Sequence, residues 1–354
     1  MNDKVITLAP DSPLNKMLDL IANVASRKIP GVSVVLELRQ AYAKIREEIH
    51  QDRMLDFALG LRDLGIDKDN FDLSSECFSA IVTKLLLDDE KRKTEFYIKL
   101  TIELARSDLD PDLKIYYINT LSELTGADID FARKLYIRQT VPLRGYTSLE
   151  DAELALTSSK QGITLKSLHK LINHGLLDEN RSGDIRAKPL YNMTDELKTL
   201  ISYLFHPDDL VPSAIGDNQK EAFDVIIIDH YKSLDNLYIT QIRDTLTNKQ
   251  ISVGIVQHND DYRLQKTAKL YIYNNAMTHY SGSRSKEYIQ VFVLFDPASD
   301  TLKLSHSGER SFKIEKENYF GAIRNSADAR KALLNTLSEV TDYVVGYLKK
   351  PEHP

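Results

Sequence analysis

The run Phe223-Asp224-Val225-Ile226-Ile227-Ile228-Asp229 is short, apolar and rich in β-branched side chains. Such a run suits a strand buried on both faces, which demands a layer above it and another below. Leu234 to Leu246 follows with helical spacing, and Ile251 to Val256 is a second apolar run. Strand, helix, strand in that order predicts a parallel crossover, right-handed by the usual rule. Leu270-Tyr271-Ile272-Tyr273 and Ile289 to Phe295 read as further strands, with Ser281-Gly282-Ser283-Arg284-Ser285 a mobile loop between them. Asp296 to Asp300 reads as a turn, Thr301 to Ser305 as its returning strand, and Ala327 to Leu348 as a closing amphipathic helix. Residues 220–354 are therefore expected to form an α/β domain with a mixed sheet and a C-terminal helix.

The chain ahead of it follows a helical pattern. Ser12-Pro13 places a capping hydroxyl before a first-turn proline, Leu14, Met17, Leu18 and Ile21 recur at helical spacing, and Pro30-Gly31 ends the run. Val34, Leu38, Ile45 and Ile49 form the stripe of a second, longer helix; Phe78–Ile81–Val82–Leu85, Phe96–Leu100–Leu104 and Ile115–Ile118–Leu121 mark others. Residues 1–145 are expected to be a helix bundle. Over 146–206 the pattern changes. Thr164 caps a helix carrying Leu165, Leu168, Leu171 and Ile172, which stops at His174-Gly175. Two short strands flank the polar turn Asn180 to Asp184, and Thr194 caps a last helix. That order predicts a winged-helix-like domain, followed by a linker at 207–219 holding two prolines and a glycine. The whole reads as an α+β multidomain protein.

Composition limits the chemistry. The 354 residues carry 46 Lys plus Arg against 52 Asp plus Glu, a net charge of −6. This excludes a wholly basic nucleic-acid coat and leaves room for a local basic patch. A single cysteine, Cys77, excludes an internal disulfide and a thiolate-rich metal cluster, and fits a reducing compartment. With no signal-peptide pattern and no run of roughly 18 apolar residues, a cytoplasmic location without membrane contact is expected. Asp108 to Asn119 opens like a calcium loop but has Leu113 and Asn119 where glycine and glutamate are needed. Phosphate loops, dinucleotide glycine triplets, paired-His zinc helices and serine elbows are missing, so no cofactor or metal is expected.

Three regions carry polar residues in functional patterns. On the helix after Thr164, Lys166, Ser167, Lys170 and Asn173 fall outward, and Arg181 sits at the turn tip. Such residues reach phosphates and base edges in a DNA-binding module; used as a docking unit, the same segment binds protein instead. At the carboxyl edge of the crossover, the first strand delivers Asp229 and His230 and the second delivers His258, Asp260 and Asp261. Ligands bind outside that edge in open parallel sheets, so these side chains would hold a divalent metal or act as acid and base, or else are solvated loop residues. Finally, residues 262–286 carry Arg263, Lys266, Lys269, Arg284 and Lys286 and no acid, a balance of +5, interleaved with Tyr262, Tyr271, Tyr273 and Tyr280. Cations along a phosphate chain with rings stacked on bases suit a single-stranded or flexible nucleic acid. Alternatively the rings pack inward beside a basic edge.

Leu168, Leu171, Gly175, Leu176, Leu177 and the Met193-Thr194 helix start resemble the winged-helix-like end of bacterial abortive-infection alpha-type proteins, over about 60 residues. That resemblance implies phage defence through a partner or a nucleic-acid signal. Phe223 to His230, with Asp235 and the helix after it, resembles the opening of Toll/interleukin-receptor (TIR) domains over 223–257. Asp229 stands where that family has serine, and the span 262–286 lacks the glutamate that NAD-cleaving members need. Two readings follow: a non-catalytic sensor or adaptor binding nucleic acid and a protein partner, or an enzyme acting through the C-terminal domain as a metal-dependent phosphodiesterase or a TIR-like nucleotide hydrolase.

Overall fold

The computed structural model describes residues 34–63, 73–180, 189–229, 237–281, 284–298, 308–315 and 326–350, with backbone alone at 34–48, 180, 276–281 and 284–287. The helix expected from Ser12-Pro13, Arg181, His230 and the return strand Thr301 to Ser305 lie outside the described residues. The chain divides into two compact units, residues 1–140 with 150–216 and residues 141–149 with 217–354.

The first unit is mostly helical. In order come α1 (Val34–Asp63), α2 (Ser75–Leu87), α3 (Thr94–Arg106), α4 (Pro111–Glu123), α5 (Gly126–Thr140), α6 (Leu149–Thr157) and α7 (Gly162–Asn173). Then follow β1 (Leu177–Asn180), β2 (Leu190–Met193) and α8 (Asp195–Leu204). The helix starts follow local chemistry. Ser74 accepts from the Cys77 N–H ahead of α2, Asp110 accepts from Asp112 N–H ahead of Pro111, and Thr194 accepts from Leu197 N–H. One contiguous apolar core runs from Phe57, Ile81, Leu100 and Leu135 through to Leu168, Leu176, Leu197 and Leu204. β1 and β2 pair antiparallel, and side chains close the outer edge of β2. Tyr191 N–H donates to the buried Glu153 carboxylate at 2.6 Å, and Tyr191 C=O accepts from the Gln139 amide at 2.6 Å. Two helices thus supply what a third strand would. Burial raises the Glu153 pKa, and its hydrogen bonds oppose that rise.

The second unit is a five-stranded mixed sheet with two helices. Its elements are β3 (Glu221–Asp229), α9 (Leu237–Asn248), β4 (Val253–Gln257), β5 (Lys266–Ser281), β6 (Arg284–Leu294), β7 (Arg310–Glu315) and α10 (Ala327–Leu348). The strand order is β4-β3-β5-β6-β7. β3 pairs parallel with both β4 and β5, while β5–β6 and β6–β7 are antiparallel. On one face Val225, Ile227, Leu270, Ile272 and Val291 form a core with Ile242 of α9 and Leu337 of α10. On the other, Ile226, Ile228, Val256, Tyr271, Phe292 and Leu294 cluster. This double burial explains the unbroken β-branched run. The segment 141–149 adds an edge contact, with Leu143 bridging Gln219 and Gly145 N–H donating to Leu264 C=O at 2.8 Å. β5 and β6 are longer than expected, and most of the expected mobile loop is strand, up to Ser281 and again from Arg284. Thr278, Tyr280 and their neighbours favour extended backbone. No helix among the described residues is long and apolar enough to cross a membrane.

The helical unit also buries charge. The Lys93 ammonium pairs with Asp88, donates to Ser122 C=O at 3.3 Å and lies 5.6 Å above the Tyr97 ring, while Tyr97 O–H donates to Asp88 at 3.1 Å. The cluster links the end of α2 to α3 and α4. Asp88→Ala strands a buried ammonium and is expected to lower the free energy of unfolding in urea by about 3–5 kcal/mol. Adding Lys93→Met should recover much of that loss; equal destabilisation of the single and double variants would show that Lys93 does not depend on Asp88.

Candidate nucleic-acid interface

The α7 positions read as one outward face divide between two environments. Lys166, His169 and Asn173 are exposed. Ser167 and Lys170 instead turn toward α5: the Ser167 hydroxyl donates to Asp128 at 2.6 Å, and the Lys170 ammonium donates to Asp128 at 2.7 Å and to Glu123 C=O at 2.8 Å. Lys170 is therefore a structural cation rather than a phosphate contact. Asp128 also accepts from Thr125 N–H, and Thr125 accepts from Asp128 N–H, so the carboxylate both starts α5 and holds α7. A legible signal for this existed in the Thr125-x-x-Asp128 capping pattern, but nothing local tied it to Lys170.

The basic, tyrosine-bearing span also divides. Its first half is neutralised: Arg263 pairs with Asp296 at 3.2 Å, Lys266 with Glu221 at 3.6 Å and Lys269 with Asp224 at 3.4 Å. Lys266 also lies 5.4 Å above the Phe223 ring. Asp224 is held further by Ser252, whose N–H and O–H donate at 3.0 and 2.8 Å. Burial would raise its pKa, but Ser252 and Lys269 outweigh that and lower it.

Tyr271 is only 7% exposed, and its oxygen accepts from Ala268 N–H at 3.0 Å. Tyr273 does share its face, as the alternation predicted, yet that face is a packed one. Its ring stacks on Phe292 at 5.3 Å and faces His258 at 6.5 Å. Burial pushes the Tyr262 hydroxyl up to about 12. The expectation that Tyr271 and Tyr273 are open stacking platforms is corrected: Tyr271 is buried in the core and Tyr273 is half-buried against it. Arg284 and Lys286 stand elsewhere, on β6 opposite Ser281 and His279.

At the carboxyl edge, the ends of β3 and β4 bring part of the expected set together. Asp229, 9% exposed, accepts from the Gln257 amide at 3.1 Å, and its C=O accepts from His258 N–H at 2.9 Å. Asp260 accepts from Gln257 N–H at 3.4 Å, while Asp261 starts the turn Tyr262–Leu264. Among the described residues, no group of three His, Cys, Asp or Glu side chains is placed to hold a metal ion. No family model, curated protein or solved structure matches the chain.

Asp128 supplies a pH test of the α5–α7 junction. Burial acts to raise its pKa, but Lys170, Ser167 and Thr125 together lower it from 3.8 to about 2. The folded form therefore resists protonation more than the unfolded chain does. The associated stability, about 2 kcal/mol, is present above about pH 5 and lost as pH falls toward 2. Urea unfolding across that window should show the loss in the native protein and a curve flatter by that amount in Asp128→Asn; parallel curves would contradict it.

Proposed function

We propose that this protein is a non-catalytic adaptor that binds nucleic acid through its C-terminal unit and a protein partner through its helical unit. The observation that carries the nucleic-acid reading is the length of β5 and β6. Among the described residues both run past their pairing with β3 and β7, and the last four pairs between them hold His279, Arg284 and Lys286 together with Tyr280 and Glu287. In a chain of net charge −6, two cations against the single acid Glu287 on these pairs support a local site for a polyanion.

For the helical unit, α6, α7, β1, β2 and α8 follow the order of a winged helix. Ile163 at 72% and Leu165 at 41% exposure are open on α7, as are Lys166 and His169. Exposed apolar side chains on a helix whose Lys170 is already engaged support protein docking over groove insertion, since phosphate contacts call for cations. Together with the abortive-infection resemblance, this supports a role in phage defence, in which a nucleic-acid signal is coupled to a partner.

A second reading rests on Asp229 and His258, which meet beside Gln257 where the parallel strands end. There the C-terminal unit would act as a nuclease or a TIR-like hydrolase. Loss of such an activity in Asp229→Ala with His258→Ala, with nucleic-acid binding intact, would favour it.

The adaptor reading predicts a division between two pairs of cations. Arg284→Glu with Lys286→Glu should weaken binding of labelled mixed-sequence nucleic acid about ten-fold or more at low salt. Lys266→Glu with Lys269→Glu should leave it within about two-fold, because exposed pairs that already neutralise Glu221 and Asp224 offer little free charge. Equal losses in both variants, or no binding by the native protein, would contradict the reading.

A further inference from the structure

We propose that the outer edge of β4 pairs antiparallel with β4 of a second copy of this chain, joining two sheets across a two-fold axis at Gly254. Among the described strands β4 has β3 on one side and stands at the end of the sheet. Val225 N–H donates to Ser252 C=O at 3.1 Å and His258 N–H donates to Asp229 C=O at 2.9 Å, so residues 252, 254, 256 and 258 turn their backbone groups to β3. Alternation turns those of Val253, Ile255 and Gln257 outward. Gln257 is engaged within its own chain: its N–H donates to the Asp260 carboxylate at 3.4 Å, and its C=O accepts from Asp260 N–H at 3.1 Å. The N–H and C=O groups of Val253 and Ile255 are left to face outward. Ile255 is 36% exposed, although its register partner Ile227 is fully buried.

These outward groups complement themselves. With the axis at Gly254, Val253 of each copy stands opposite Ile255 of the other, so each outward N–H meets an outward C=O. Gly254 carries no side chain at the axis, where antiparallel backbones come closest, about 4.5 Å between Cα atoms. Each Ile255 then meets a Val253 and lies diagonal to the other Ile255, an apolar cross-strand contact. The strand itself, Val-Gly-Ile-Val-Gln, has no charge and no proline, the features that commonly guard an edge against pairing. Its ends decide the direction. Lys249 precedes the strand, Asp260 and Asp261 follow it, and all three are exposed, Lys249 also pairing with Asp342 of its own chain at 3.0 Å. An antiparallel copy sets the basic end of one strand against the acidic end of the other, whereas a parallel copy would oppose like charges. The edge is thus complementary to its own copy in backbone, side chain and charge.

Sedimentation velocity on the full chain between about 1 µM and 1 mM, the span of weak protein affinities, tests the pairing. Monomers are expected to give way to dimers as concentration rises. Ile255→Lys and Ile255→Glu should each weaken the dimer about five-fold or more, since like charges then face one another across the axis. Mixing the two variants should restore it, because opposite charges meet. Ile255→Pro should remove it while keeping every backbone bond to β3, as the lost N–H points away from the sheet. Circular dichroism checks that the proline variant keeps its fold, and the charged variants serve if it does not. A native chain that stays monomeric throughout, dimers untouched by these substitutions, or a mixture no tighter than its components would overturn the proposal. None of these outcomes depends on nucleic-acid binding.

Discussion

Parallel pairing between β3 and β5 decides the character of the C-terminal unit. β3 has nine residues and β5 sixteen, so only the first half of β5 enters the body of the sheet. There the register sets Glu221 opposite Lys266 and Ile226 opposite Tyr271, and brings Asp224 near Lys269. The same pairing neutralises cations and buries rings. Among the described residues, what lies past Tyr273 pairs with β6 and not with β3. One contiguous acid-free stretch of sequence is thus divided, among the described residues, into a half paired with β3 and a half paired with β6 alone.

A similar division operates on α7. Lys166 and Lys170 are one helical turn apart and look equivalent along the chain. Asp128 separates them by drawing Lys170 and Ser167 onto α5 and leaving Lys166 outside. The carboxylate is buried, so leaving it unpaired would cost several kcal/mol. That requirement, rather than any ligand, accounts for Lys170. What remains exposed on α7 includes the apolar Ile163 and Leu165 as well as Lys166 and His169, and it is these apolar groups that support the proposed protein partner.

Much of the architecture was legible in the residues. The β-branched run at 225–228, the crossover to Val253–Gln257, the cap at Thr194 and the closing helix Ala327–Leu348 are local signals, and each has its expected element, whereas α7 begins at Gly162, ahead of the Thr164 expected to cap it. The charge state of the candidate site was not legible, for a physical reason. Lys269 finds Asp224 and Lys266 finds Glu221 across a strand pairing that joins residues more than forty positions apart, so counting charge within 262–286 sees the cations without their partners. Alternation did place Tyr271 and Tyr273 on one face. It carried no information on whether that face was open, because a strand buried on both sides and one with a wet side share the same period of two.

The central claim is that the half of β5 and β6 beyond the described pairing with β3 and β7, not the half within it, meets nucleic acid. Backbone hydrogen exchange with and without saturating DNA duplex tests it most directly. Slower exchange on binding at 278–281 and 284–287, with residues 262–271 unchanged, is the predicted result. Slowing confined to 262–271 would contradict the account.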